Sequence, residues 1–181
     1  MATGQTDPRR RARILAATLD LIVDEGVAGV SHRKIATRAD VPLGSMTYHF
    51  TGIDDLLREA FALFADHIVA VFEQHLGRAD SPEQACEAVT DLIHTLSEGP
   101  RRDLILTQEP YTLAARRPEY QELTHAWMRR TRHLLEQHFA PDTARQLDAL
   151  IEGLTLHRAL DRRPHGRALT RLAVTRIAAV T

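Results

Sequence analysis

The side chains best placed to do chemistry are Ser45, Tyr48 and His49. They stand three and four residues apart, so on a helix they share one side and can reach a single target together. Hydroxyl and imidazole groups bond phosphate oxygens or base edges, and a tyrosine ring also packs against a thymine methyl. Gly44, just ahead, has no side chain and lets the backbone lie close to DNA, while Met46 and Phe50 read as the apolar anchors of the same segment. Upstream, His32, Arg33 and Lys34 crowd the start of another short helix, where cationic side chains and unpaired backbone N–H groups favour a phosphate. The chemistry expected of this stretch is non-covalent recognition of double-stranded DNA.

Rival chemistries find little support. The chain has no glycine-rich phosphate loop, no nucleophile elbow, no HExxH and no paired Glu-x-x-His. Isolated Ser, His and Asp residues have no spacing that builds a catalytic site, so no enzymatic activity is expected. Ten histidines invite a metal, yet His133 and His138, five apart, diverge around a helix, and none forms a convincing ligand pair at i, i+4 with an acidic partner. No metal and no cofactor are expected.

These side chains need elements to hold them. Apolar residues recur at helical spacing along nearly the whole chain, without convincing strand alternation, which predicts an all-α fold of about nine helices. Val30–Phe50 reads as two short helices joined by a tight turn, a helix-turn-helix in which the first helix braces the second. Asp7-Pro8 reads as the cap and first residue of a preceding helix. Its inward stripe is Ile14, Leu15, Thr18, Leu19 and Ile22, and it ends at Glu25 with Gly26 as a left-handed cap. Ser31 caps the next helix, with Ile35, Ala36 and Ala39 inward; Asp40 occupies the turn, where a short polar side chain tolerates left-handed backbone. The third helix covers residues 43–49 and the fourth runs from Ile53 to Leu76.

Beyond Gly77, Ser81-Pro82-Glu83-Gln84 is a capping box that opens a helix ending near Gly99-Pro100. Helices over 101–116, from Pro118 to Phe139, from Pro141 to Arg163-Pro164, and from Gly166 to the C-terminus complete the pattern. The domain division expected is a DNA-binding head over residues 1–52 and a helical body over 53–181.

At 181 residues the chain can bury a core without disulfides. Cys86 is the sole cysteine and reads as a small core residue of a protein from a reducing compartment. No apolar run approaches the ~20 residues that span a bilayer, and the N-terminal MATGQTDPRRRAR lacks the apolar segment of a signal peptide. A soluble, cytoplasmic protein with no membrane partner is expected. The total charge of −1 hides an asymmetry: residues 1–52 carry seven basic and five acidic side chains, a net of +2, leaving −3 for the rest. A basic head on an acidic body suits contact with a polyanion at one end.

The head resembles the TetR family of transcriptional regulators. The resemblance lies in Gly26, Ile35-Ala36, Ala39, Val41, Gly44-Ser45-Met46, Tyr48-His49-Phe50 and Leu56-Leu57, in that order. Three positions depart from the family pattern: Asp40 replaces the usual turn glycine, Thr47 stands where a tyrosine commonly touches phosphate, and Ile53 stands where a lysine often contacts the backbone.

What the resemblance implies is a dimeric, ligand-responsive regulator. The last two helices would pair with their symmetry mates through Leu147, Leu150, Ile151, Leu154, His157 and Arg158, and through Leu169, Leu172, Ala173, Ile177 and Val180. The body would enclose a small, mostly apolar molecule, with candidates Phe64, His67, Ile68 and Val71 from one helix and Leu92 and His94 from the next. Leu104, Gln108, Tyr111, Trp127, Met128 and Glu152 would complete the lining. The function expected is repression relieved when the effector releases the protein from a palindromic operator. The alternatives are an activator, or a dimeric small-molecule-binding protein that no longer regulates promoters. Effector, operator and regulated genes are not written in the sequence.

Overall fold

The computed structural model describes residues 9–179. It is all-helical, with nine α-helices among the described residues. They are α1 Arg10–Glu25, α2 His32–Arg38, α3 Gly44–His49, α4 Ile53–Leu76, α5 Pro82–Ser97, α6 Arg101–Arg116, α7 Gln121–Leu135, α8 Pro141–Leu160 and α9 Arg167–Ala178. Short 3-10 turns over Val27–Gly29 and Pro118–Tyr120 precede α2 and α7. Two compact units are present: residues up to Phe64 with Ile105–Leu123, and Ala65–Leu104 with Thr124 onward. The boundary between these compact units falls inside α4, after Phe64, and the first unit also takes in most of α6.

In the first unit, α1 packs against α2, and α2 against α3. Ile14, Leu15, Leu19 and Ile22 of α1 are buried, as are Ile35, Met46, Phe50, Leu56, Phe61 and Leu106. Arg11 pairs with Glu59 and lies over the Phe50 ring, tying α1 to the start of α4 and the end of α3. Thr18, inward as expected, donates its hydroxyl to the Ile14 carbonyl. The Asp7-Pro8 cap lies outside the described residues; Arg9 occupies the N-cap position of α1 without a side-chain bond. Gly26 does end α1 with a positive φ of 70°, but its ψ of 170° is extended rather than left-handed helical.

In the second unit, α5 packs against α8 and α9, which also pack on each other. Ala85, Val89, Leu92 and Ile93 form the buried stripe of α5. Ser81 caps that helix by accepting from the Gln84 N–H at 3.2 Å, and Gln84 reaches back to the Asp80 N–H at 2.9 Å. Helix α7 ends at Leu135 rather than near Phe139. The His138 and Phe139 N–H groups both close onto the Leu135 carbonyl, and Ala140 is extended ahead of Pro141, which disfavours helical backbone before it. Val180 lies outside the described residues. Among the described residues no helix is long and apolar enough to cross a membrane, and no three His, Cys, Asp or Glu side chains converge as a metal site requires.

Candidate nucleic-acid interface

The turn between α2 and α3 is built by backbone hydrogen bonds and one unusual residue. Asp40 adopts φ 51°, the left-handed region that its short polar side chain tolerates. The Asp40 carbonyl accepts from Arg13 at 2.7 Å, which fastens the turn to α1. Val41 N–H bonds the Ala36 carbonyl at 3.0 Å, closing α2. Ser45 and Met46 N–H groups then bond the Pro42 and Leu43 carbonyls at 2.9 and 3.0 Å, opening α3. Ser31 caps α2 through the Lys34 N–H.

Met46 and Phe50 anchor α3 in the core. The outward side differs from the one expected. Ser45 is only 7% exposed, whereas Tyr48 is 73% exposed. Gly44 and Thr47 are exposed and His49 is half-buried. At ~100° per residue, the side opposite Met46 and Phe50 is centred on Tyr48 and takes in Gly44, while Thr47 stands at its margin. Ser45 and His49, four apart, lie toward the core edge instead. The corrected outward set is Gly44, Thr47 and Tyr48. His49 keeps a ring contact, its imidazole edge-on to Tyr48 at 4.9 Å between centroids, and its Nε2 is buried without a hydrogen-bond partner. The Thr47 hydroxyl donates to the Gly44 carbonyl at 3.2 Å.

The start of α2 is less uniformly cationic than its sequence suggests. Lys34 folds back, its ammonium 2.5 Å from Glu25 Oε2 and 3.0 Å from the Gly29 carbonyl. His32 is half-buried with its Nε2 unpartnered. Arg38 pairs with Asp24 at 2.8 Å. Arg33 is exposed and borders a shallow groove of about 380 Å³ shared with Ala36, Thr37, Asp40, Val41 and Leu43. Leu43 is 52% exposed, a large apolar side chain beside the outward set that the sequence pattern did not single out. Its signal was its place: it immediately precedes α3, outside the helical stripe that determines burial.

Two family models match this chain. Residues 14–60 match the bacterial regulatory proteins of the tetR family, and residues 80–180 match the tetracyclin repressor-like C-terminal domain. The chain belongs to the TetR family. Among TetR-family relatives, the HTH-type transcriptional regulator BetI 1 of Chromohalobacter salexigens is 30% identical over 84% of this chain and 80% of its own. The crystal structure of SCO7518, a transcriptional regulator from Streptomyces coelicolor A3(2), superposes with a TM-score of 0.93 at 71% identity, over 96% of this chain and 100% of that one. The multidrug binding protein EbrR, in complex with imidazole, superposes at 0.83 with 33% identity, over 97% and 93%. TetR-family membership makes this a DNA-binding transcriptional regulator, and the helix-turn-helix falls inside the matched N-terminal segment.

The candidates for a TetR-type effector pocket are distributed over both compact units. Phe64, Gln108 and Tyr111 belong to the first, with Phe64 buried and the other two half-buried. In the second, Ile68, Leu92 and Trp127 are buried, and Val71, Leu104, Met128 and Glu152 are half-buried. His67 is exposed and not inward: it sits beside, not on, the buried line Phe64–Ile68–Phe72, and its Nε2 lies 3.4 Å from Asp103 Oδ2. His94 is half-buried with Nε2 3.0 Å from the Thr170 hydroxyl, so that nitrogen already has a partner within the unit. Leu92 is fully buried among the core residues of α5.

The residues assigned to a TetR-type dimer seam divide in the same way. Leu147 and Ile151 are buried within this one chain and belong to its core. The largely buried guanidinium of Arg158 engages the Glu98 carboxylate and the His165 carbonyl within the chain. Leu150, Leu154, Ala173 and Ile177 are half-buried, and His157 is exposed. Leu169 and Leu172 are 56% and 44% exposed. Helix α9 directs Arg167 and Arg171 to Glu87 of α5 and buries Thr170 and Val174. Leu169, Leu172 and Arg176 therefore share the side turned away from α5.

Proposed function

We propose that this TetR-family regulator is a homodimeric repressor, cytoplasmic, that leaves a palindromic operator when a small, mostly apolar molecule binds its body. The observation that carries the DNA side is the α3 surface: Met46 and Phe50 buried, with Gly44, Thr47 and Tyr48 presented outward beyond the turn at Asp40. Arg33 and Tyr48 are the phosphate and base contacts this surface offers, with Gly44 permitting close backbone approach. The exposed leucines of α9 support pairing of two chains, since one short helix in one groove gives little specificity and two on a palindrome multiply it. EbrR, similar over nearly the whole chain, has been crystallised with proflavin, malachite green and ethidium, which favours an effector of the same aromatic kind.

On this reading the effector acts through its differential affinity for two conformations; a hundredfold preference supplies about 2.7 kcal/mol. Residues 1–52 form the reading head and 53–181 the sensing and pairing body. The test is a gel-shift titration of the purified protein against the DNA flanking its own gene at 150 mM salt. Preference for a palindrome over random duplex, and release by malachite green, are expected. Ethidium and proflavin intercalate, so their binding is measured on the protein alone. Equal affinity for palindrome and random DNA overturns the regulator reading, and a promoter reporter that falls on deletion of the protein overturns repression in favour of activation.

A further inference from the structure

The side chains that surround α3 are unusual for a DNA reader. From Val41 to Ile53 there is no arginine, lysine, asparagine or glutamine. Those four make the forked, two-bond contacts by which guanine and adenine are told apart in the major groove. What the structure exposes there is Pro42, Leu43, Gly44, Thr47, Tyr48 and Thr51, of which Leu43, Gly44, Thr47 and Tyr48 stand at or on α3. Thr47 commits its hydroxyl hydrogen to the Gly44 carbonyl, which leaves a methyl group and an oxygen lone pair. A Cβ built on Gly44 meets nothing within 4 Å, so the surface beside Leu43 is open. The nearby cations on α2 are diverted, Lys34 to Glu25 and Arg38 to Asp24, and Arg33 lines the same groove as Leu43.

We infer that this head reads its operator mainly through thymine C5-methyl groups, with Leu43 as the specificity-determining residue. The inference rests on the DNA-binding reading above and deepens it. A half-exposed leucine at the N-terminal position of a reading helix offers no hydrogen bond and no charge. In the major groove the thymine methyl is the one base-edge group that such a side chain can recognise. Arg33 holds the phosphate backbone, and the hydroxyl of Tyr48 adds a single hydrogen bond that tolerates several bases. Covering one methyl-sized apolar group is worth about a fourfold change in affinity, so several contacts are needed for useful discrimination. Two heads on a palindrome double their number.

The experiment uses the full chain and an operator selected by the wild-type protein from random-sequence duplex DNA. Each thymine is then replaced singly by deoxyuridine, which removes the methyl and nothing else. Wild-type binding should weaken about fourfold at one or two thymines per half-site. Leu43→Ala, whose side chain is half-exposed, should keep its melting temperature, bind the operator more weakly, and lose the deoxyuridine penalty at one of those thymines. Leu43→Gln should shift preference at that position toward adenine, through a two-bond contact. If the wild type binds selectively yet tolerates every deoxyuridine, the methyl-reading inference falls while the regulator reading stands. If Leu43→Ala retains every penalty, the assignment of Leu43 falls. If the wild type selects no sequence at all, both readings fall together.

Discussion

The hydroxyl of Tyr120 donates a hydrogen bond to Oδ1 of Asp54 at 2.5 Å, joining the 3-10 turn before α7 to the first turn of α4. Arg117 closes on the same carboxylate with two nitrogens at 3.0 and 3.1 Å. The guanidinium groups of Arg117 and Arg58 each lie 4.9 Å from the centre of the Tyr120 ring, which is completely buried. All four residues belong to the compact unit that contains the helix-turn-helix. Removing the hydroxyl in Tyr120→Phe should cost about 1.5 kcal/mol, the low end for a bond to a charged group, because Asp54 keeps Arg117 and contact with water. Tyr120→Ala should cost about 3–5 kcal/mol through the cavity it leaves. Urea unfolding of the two variants checks the contrast; equal losses would show that the ring packs loosely.

The same contact gives a stability profile with two edges. The Arg117 guanidinium and the Tyr120 hydroxyl hold the Asp54 carboxyl below its ordinary value of 3.8. Its contribution is therefore present above that value and lost as pH falls through the lowered one. Burial and the neighbouring Asp54 carboxylate push the Tyr120 phenol from 10.0 up to about 12. That contribution is complete below pH 10.0 and disappears as pH rises through about 12. Thermal melts of wild type and Tyr120→Phe should converge above the upper edge and differ on the plateau between the two.

The α3 surface separates contact from support. Tyr48→Ala should weaken operator binding at least tenfold while the melting temperature stays within about 1 °C, because an exposed ring contributes little to folding. Ser45→Ala, on the buried side, should leave base preference unchanged. Met46→Ala should instead destabilise the head by about 2–5 kcal/mol. Operator titrations paired with thermal melts distinguish the three; a Ser45→Ala variant with altered base preference would restore that residue to the reading side.

Helices α8 and α9 offer a parallel contrast. Leu169→Asp and Leu172→Asp should shift a sedimentation profile from dimer toward monomer without loss of helicity, since both side chains are exposed within one chain. Leu147→Ala should lower stability by about 2–5 kcal/mol in either oligomeric state, because that side chain is completely buried inside the subunit. Sedimentation at several concentrations, alongside denaturant melts, reads both effects. An unchanged profile for the two aspartate variants would exclude this side of α9 from the pairing surface.

Helical spacing and punctuation carried most of the fold. Ile53–Leu76, Pro141–Leu160 and the caps at Ser31 and Ser81 follow from local chemistry, because a helix is closed by bonds within its own segment and its ends are marked by residues that satisfy or break them. The left-handed Asp40 was legible for the same reason. The buried arc of α3 was legible in part: Met46 and Phe50 determine it, and the ~100° step from them points to Tyr48 and Gly44, but the same step places Ser45 nearer Tyr48 than Thr47, and only packing buries Ser45.

What tertiary structure alone decided is which apolar or charged residue meets which neighbour. Leu147 and Leu169 look alike in sequence, yet one is completely buried within the chain and the other is 56% exposed. Lys34 and Arg33 are adjacent cations, but only Lys34 finds Glu25 and the Gly29 carbonyl within reach. The Asp54–Tyr120 contact spans 66 positions, and no local pattern announces it. Periodicity encodes a helix and the width of its buried stripe, whereas the partner of each side chain depends on the packing of helices distant in sequence, a non-local free energy that no single segment contains.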